Sequence, residues 1–393
     1  MAVFRRPRGG VSRWLRKAWT FLASVRLAVL IVVGLILVSL AGTLLPQAST
    51  LPETDLNVWR IGHPLTSAVA DRLGLFRAFS SWLFIGLLAA LSVSLVACTA
   101  DRVASRRRSR AGGRALVGSL VLHAGLLVVL AGGVVTAGYR FDGTVLATEG
   151  QVLDLSGDAY LRLVEGPFLA EKTRPAVTLE LESFAPRYQG PTPVALDSTL
   201  RVRSGDGRER TVTVQVNRPV RFDGLVFTQA GHGFSPSVVV VSPQGVPVVD
   251  AFVALRSQRG SDQATYEDYV DAPGLPNRLV LRVFPDLSLE DGRPVSRSFV
   301  PRNPFLLARF VDRRGETISQ TLVRLGESAE LGGFNVTFRD LRYWSAFRVT
   351  RDVGRFVVFA GFGLCLLGAV IRYLPRRAAG SPAVGTAGAG RSA

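Results

Sequence analysis

Cysteine is nearly absent from this chain: Cys98 and Cys365 are the two in 393 residues, and both fall in hydrophobic runs. There is no C-x-x-C, no disulfide framework in the polar part and no zinc spacing, which argues against thiol-relay chemistry. Histidine is almost as scarce, with His63, His123 and His232 alone available for imidazole chemistry. No G-x-S-x-G, H-E-x-x-H or P-loop occurs, so nothing marks a hydrolase, a metalloprotease or an ATPase. Acidic residues are rare outside the middle of the chain. Residues 140–350 hold 25 Asp+Glu against 25 Lys+Arg, and the remainder holds 5 against 22. The net charge of +17 therefore lies in the segments that flank the hydrophobic runs. It is a topology signal and gives no footprint for nucleic acid.

What the chain does have is apolar length. With 48% hydrophobic residues and a mean hydropathy of +0.27 it is no disordered polymer; these values suit a protein part membrane and part folded domain. Residues 1–20 form a basic segment with Arg5, Arg6, Arg8, Arg13, Arg16 and Lys17, and with Trp14 and Trp19 as interfacial anchors. The run over 21–45 is long for the core of a cleaved signal peptide and, as a helix, crosses roughly 30 Å. Pro46 ends it, and Arg26 near its start can snorkel to the interface. In the connection 46–79, LTSAVADRLGLFRAF places Val69, Leu73, Phe76 and Phe79 at helical spacing. That stretch fits a helix in the headgroup plane or one packed on a neighbouring domain.

A second span covers 80–100, and the loop 101–114 after it carries six arginines. A third span covers 115–138 and a fourth 356–374, before a Gly/Ala/Ser-rich tail over 375–393 that reads as disordered. By the positive-inside rule the N-terminus, the arginine-rich loop and the tail are cytoplasmic, in a multi-pass protein of the cell membrane. All three basic segments fall on one side of this four-span scheme. Residues 139–355 then form an extracytoplasmic domain of another character. Short β-branched runs alternate there with turns at GDG, PQG, EDG and RRG, as in antiparallel hairpins of a sandwich or open barrel. The fold class is thus a four-helix membrane part plus a large β-rich domain.

His123 is the one ionisable side chain inside the third span. It lies about nine residues from the start of that run, roughly 12 Å along the helix. An ionisable group in lipid is a candidate functional site. One reading is an axial ligand to haem iron, with Gly118, Gly125, Gly132 and Gly133 leaving room for a flat macrocycle or a close helix. The other is an interhelical hydrogen bond to Ser92 or Ser94, with those glycines as packing faces. Both fit the residues. His63 and His232 read as loop residues.

Several stretches together resemble the ResB/CcsB family of cytochrome c biogenesis proteins. The first span runs from Ser24-x-Arg26-Leu27-Ala28 to Gly42-Thr43-x-x-Pro46-Gln47, and the second leaves through Cys98-Thr99-x-Asp101-Arg102. LVLHAGLLVVLAGGVV resembles the third, followed by GTVLATEGQVLDL. In the polar domain Asn217-x-Pro219, Gly224 and Gln229 match the family pattern, and Arg351-Asp352-x-Gly354 leads into the fourth span. Val353 stands where that pattern has proline, which bears on how the fourth helix begins. The resemblance covers nearly the whole chain in order.

It implies a subunit that moves haem outward and attaches it to apocytochrome c, together with a tryptophan-rich membrane partner of the CcsA/ResC type. His123 would be the haem-binding residue of this chain, and a partner histidine would supply the second ligand. Gly42, Pro46, Gln47, Cys98, Asn217, Pro219, Gln229, Asp352 and Gly354 are family positions of unassigned role. This chain lacks the tryptophan-rich segment, so it is not expected to be a catalyst alone. The alternative is a membrane scaffold that binds no haem and presents apocytochrome c as a chaperone.

Overall fold

The structure is a computed structural model that describes residues 10–48, 51, 53–108, 113–169, 174–189, 192–259, 264–290 and 292–374. Arg5, Arg6, Arg8, Arg110 and the tail from 375, on which the expected topology leans, lie outside the described residues. The chain divides into two compact units, residues 1–136 with 353–393, and residues 137–352.

In the first unit the helices are α1 (Gly10–Leu22), α2 (Val25–Leu44), α3 (Glu53–Gly62), α4 (Pro64–Leu73), α5 (Trp82–Arg108), α6 (Arg114–Tyr139) and α7 (Gly354–Tyr373). Four of them are long and apolar enough to cross a membrane: α2, α5 over Trp82–Ala104, α6 and α7. Large apolar side chains such as Leu30, Ile36, Phe356 and Phe359 are exposed along these helices, as lipid-facing positions should be. The first span does not run unbroken from residue 21: the chain leaves helical geometry at Ala23 and Ser24, and α2 starts afresh at Val25. Its end is as expected, since Leu45 is already extended before Pro46.

The helix expected over residues 65–79 is broken. Gly74 takes up the left-handed conformation at φ 70°, ending α4, and Leu75–Ser80 form a 3-10 turn. That break turns Leu75, Phe76 and Ala78 inward to cluster with Val38 and Ala41 of α2, with Leu45 just beyond it, and with Leu83, Phe84 and Leu87 of α5. The segment is therefore packed against the spans, although Val69 and Phe79 stay exposed. Ser81 starts α5 as its N-cap, accepting from Phe84 N at 3.1 Å.

The second unit is antiparallel β. Its first strands are β1 (Phe141–Thr148), β2 (Val152–Asp154), β3 (Tyr160–Glu165), β4 (Val177–Gln189), β5 (Thr192–Ser204), β6 (Glu209–Gln215), β7 (Val220–Phe222) and β8 (Leu225–Val241). Next come β9 (Pro247–Phe252), β10 (Ser257–Arg259), β11 (Ala264–Val270), β12 (Arg278–Phe284), β13 (Leu287–Glu290) and β14 (Arg293–Ser296). The last are β15 (Phe305–Val311), β16 (Thr317–Arg324), β17 (Ser328–Leu331) and β18 (Phe334–Arg351). Every turn read from the sequence closes a hairpin: β5 with β6, β8 with β9, β13 with β14, and β15 with β16.

The long β8–β18 ladder, with β1, β3 and β7 on its flanks, carries the other sheets. The sheet β2-β4-β5-β6 packs on one end of it, around Phe141, Leu179, Leu200, Phe227 and Phe347. The sheet β10-β11-β12-β15-β16 packs on the other, around Phe234, Val238, Leu281, Leu306 and Phe338. The open alternatives of sandwich and barrel resolve to sandwich packing over a shared ladder. A register shift leaves Ala230 extra in β8. Buried apolar positions are odd before it, Leu225 and Phe227, and even after it, Phe234, Val238 and Val240. One inserted residue thus lets a single strand feed both cores despite its two-residue period.

Candidate functional site

α6 forms because its residues are apolar, with no proline and no acid, so each backbone group must be bonded within the helix. His123 is half-buried on it. Its Nδ1 lies 2.7 Å from the carbonyl oxygen of Ser119, one turn back, and must donate there because a carbonyl only accepts. The proton is thereby fixed on Nδ1 and the lone pair on Nε2, the arrangement in which imidazole ligates a metal. Ser92 and Ser94 are not its partners. Ser92 Oγ donates to Leu88 O at 2.9 Å and Ser94 Oγ to Leu22 O at 2.8 Å.

The glycines on α6 divide. Gly118, Gly125 and Gly132 recur every seven residues and meet α7, whose Gly354, Gly361 and Gly368 have the same spacing. A Cβ on Gly125 would stand 2.6 Å from Cys365 N and 2.9 Å from Gly361 O; one on Gly361 would stand 2.7 Å from Val129 N. The helices run antiparallel with backbone against backbone, which side chains larger than hydrogen would prevent. Three of the four glycines therefore hold a helix and offer no room for a macrocycle, while around Gly133 nothing lies within 4 Å. At 100° per residue His123 sits on the side of α6 away from this seam.

Two arginines meet α6 about one turn from His123. Arg102 Nη1 on α5 donates to Ser119 Oγ at 2.5 Å, so Ser119 holds His123 by its carbonyl and Arg102 by its hydroxyl. Arg372, in the last turn of α7, has its backbone nitrogen 2.6 Å from where a Gly118 Cβ would be. Among the described residues no group of three or more His, Cys, Asp or Glu could hold a metal ion.

Further along α5, Ser94 and Cys98 sit one turn apart, and Cys98 Sγ donates to Ala23 O at 3.0 Å. They satisfy the carbonyls that the break between α1 and α2 leaves open. At the other end of α2, a Cβ on Gly42 would come within 2.6 Å of Ala78 Cβ. Gln47 completes that junction: Nε2 donates to Leu75 O at 3.0 Å and Oε1 accepts from Ala78 N at 3.2 Å.

The sequence profile of the ResB-like family matches residues 25–114 and 109–378 of the chain. This chain belongs to the ResB-like family. It is 25% identical over 439 aligned residues to the cytochrome c biogenesis protein CcsB of Gloeobacter violaceus, covering 95% of this chain and 85% of that one. Identity to the proteins of the same name from Microcystis aeruginosa and Thermosynechococcus vestitus is 22% and 23%, over 92% and 91% of this chain and 87% of each relative.

The remaining ResB-like motif positions lie mostly in the β unit and work through the backbone. Asn217 is left-handed at φ 61° in the exposed turn before Pro219, a geometry asparagine tolerates. Asp223 and Gly224 (φ 49° and 75°) make the two-residue turn from β7 to β8. Gln229 braces the bulge beside it: Nε2 donates to Ser345 Oγ at 2.6 Å and to Gly231 O at 3.0 Å, and Oε1 accepts from the buried Ser198 at 2.9 Å. Asp352 is the last residue of the β unit, and Gly354 begins α7, where Thr136 and Gly132 O occupy the space of a Cβ. Val353 before it is already helical at φ −78°, so no proline is needed to set the turn.

Of the other histidines, His63 lies in the connection between α3 and α4, and His232 lies within a strand. His63 caps α4, stacks on Trp59 at 4.5 Å between ring centroids and has Nδ1 3.1 Å from Trp59 O. His232 lies within β8 opposite Ser345, its ring against Phe184 and its Nε2 3.5 Å from the Tyr188 hydroxyl. Burial holds its pKa below the ordinary value, and burial likewise pushes the neighbouring Tyr343 hydroxyl up to about 12. Sequence reading missed Glu149, whose carboxylate accepts from Phe184 N at 2.7 Å and Tyr343 N at 3.1 Å. Its place in GTVLATEG was the available signal.

Proposed function

We propose that this protein acts in cytochrome c biogenesis as the ResB-like subunit of a membrane complex that carries haem outward for attachment to apocytochrome c. The observation that supports it is the fixed tautomer of His123, an imidazole at membrane depth with Nε2 kept basic by a backbone bond on Nδ1. Haem is the cargo. His123 offers one axial nitrogen to its iron, and a CcsA/ResC-type partner supplies the other. The basic N-terminus, the arginine-rich loop and the tail face the cytoplasm, and the β unit faces outward, where apocytochrome c is met.

Replacing His123 with alanine should lower the haem content of the purified complex tenfold or more and leave its assembly unchanged. An unaltered haem spectrum in that variant would refute the ligand role. A second reading, a scaffold without haem, draws on β16, an edge strand with Ile318 and Leu322 exposed, which can take up an extended peptide by strand addition. Crosslinking of an apocytochrome segment to β16, with haem content indifferent to His123, would favour it.

A further inference from the structure

Arg102 and Arg372 come from different helices and meet α6 at neighbouring residues. Arg102 lies within the apolar stretch of α5, yet its bonded partner is a neutral hydroxyl, Ser119 Oγ, at 2.5 Å. Arg372, in the last turn of α7, contacts the Tyr373 ring at 5.4 Å. Among the described residues neither makes an ion pair with a carboxylate. A guanidinium next to lipid without a counter-ion costs free energy, and two near one imidazole repel each other as well. Each presents up to five N–H donors in a planar fork that matches a carboxylate. Both approach α6 at the same level: Arg102 bonds Ser119, and Arg372 lies against Gly118. From Ser119 to His123 the helix rises about 6 Å toward the middle of the span.

We infer that Arg102 and Arg372 form the acid-binding end of the site whose iron-binding end is His123, and that they hold the two carboxylates of a flat amphipathic macrocycle. The inference rests on the proposed function, because it takes the cargo to be a porphyrin diacid. The apolar body of such a ligand favours the span and its carboxylates favour the water boundary, so one imidazole at depth and two arginines nearer the end also fix which edge enters first. Ser119 positions His123 by its carbonyl and Arg102 by its hydroxyl.

The test is a spectral titration of the full-length chain, purified with its membrane partner, using iron protoporphyrin IX and its dimethyl ester as probes. The wild type should bind the diacid at least tenfold more tightly than the diester. Arg102→Gln and Arg372→Gln should each cut that preference threefold or more, and the double variant should erase it while the His123-dependent spectrum persists. Arg102→Lys keeps the charge and should retain part of the preference, showing that the glutamine variants are not merely misfolded. Ser119→Ala removes the hydroxyl that holds Arg102 and should weaken the preference, by less than Arg102→Gln does. A wild-type ratio of diacid to diester affinity in the double variant would overturn the inference and assign the arginines to lipid phosphates. Loss of the carboxylate preference can be told apart from failure of the function itself, which would show as a bound-haem spectrum that His123→Ala does not change.

Discussion

The helical unit and the β unit bury backbone with opposite kinds of residue. In α6 and α7 the contact is made by glycine, six of them at spacings of seven, so that peptide groups touch peptide groups. In the β unit the contact is made by phenylalanine, leucine and valine, with Phe141, Phe227, Phe338 and Phe347 among the largest side chains fully buried. The solvent explains the difference. Lipid is as apolar as leucine, so helices in it gain nothing by hiding leucine and must gain by close van der Waals approach. Water rewards hiding apolar area at about 25 cal/mol per Å², so the β unit collects bulk. Polar groups follow suit. Where α1 and α2 part, Ser94 and Cys98 cover single carbonyls, whereas in the β unit Ser198, Gln229 and Ser345 form a network around a bulge.

Adding bulk to the seam should break this comparison most sharply. Gly361→Leu sets a side chain where Val129 N lies 2.7 Å from the Cβ position, and should reduce assembled protein tenfold or more; Gly363→Leu, with nothing within 4 Å, should not. Yield and protease resistance of the two variants, side by side, decide it. Removing bulk is the matching change in the other unit: Phe347→Ala should cost about 3–5 kcal/mol, read from denaturation of the full-length protein by a probe in the β unit. Of smaller size, Cys98→Ala should destabilise by about 1 kcal/mol, the worth of one bond to an open carbonyl at membrane depth. A melting temperature in detergent equal to the wild type would count against the role of Cys98 at the helix break.

His232 gives a dependence on pH. Its pKa is lowered in the folded protein by burial, so the unfolded chain takes up the proton first. Stability of the β unit should be flat above about pH 7 and fall as pH drops from about 6.5 toward the depressed folded value. Proteolysis between pH 5 and 7.5 should show this slope in the wild type and its loss in His232→Gln. Least of all, Arg348→Ala removes a partly exposed bidentate pair with Asp142 at 2.6 and 2.8 Å and should cost under about 1 kcal/mol.

Much of the fold was legible because its signals are local. Apolar runs mark α2, α5, α6 and α7, and turn residues mark each hairpin. The break at Ala23–Ser24 was not legible, since no proline or glycine stands there and the carbonyls it frees are met by α5, some 70 positions away in the sequence. The stop at Gly74 carried a local signal, glycine, which the helical spacing of Phe76 and Phe79 outweighed. At the candidate site, His123 stood out as the one imidazole in a span. Arg102 and Ser119 did not, because their pairing joins two helices.

Taken alone, the sequence determined which segments are spans and which are strands, because hydropathy and two-residue alternation are properties of neighbours along the chain. Tertiary structure decided what the glycines of α6 are for, which carbonyls Ser94 and Cys98 cover, and that Arg102 bonds Ser119 one turn from His123. Those are matters of distance between segments remote in sequence, and packing alone sets such distances.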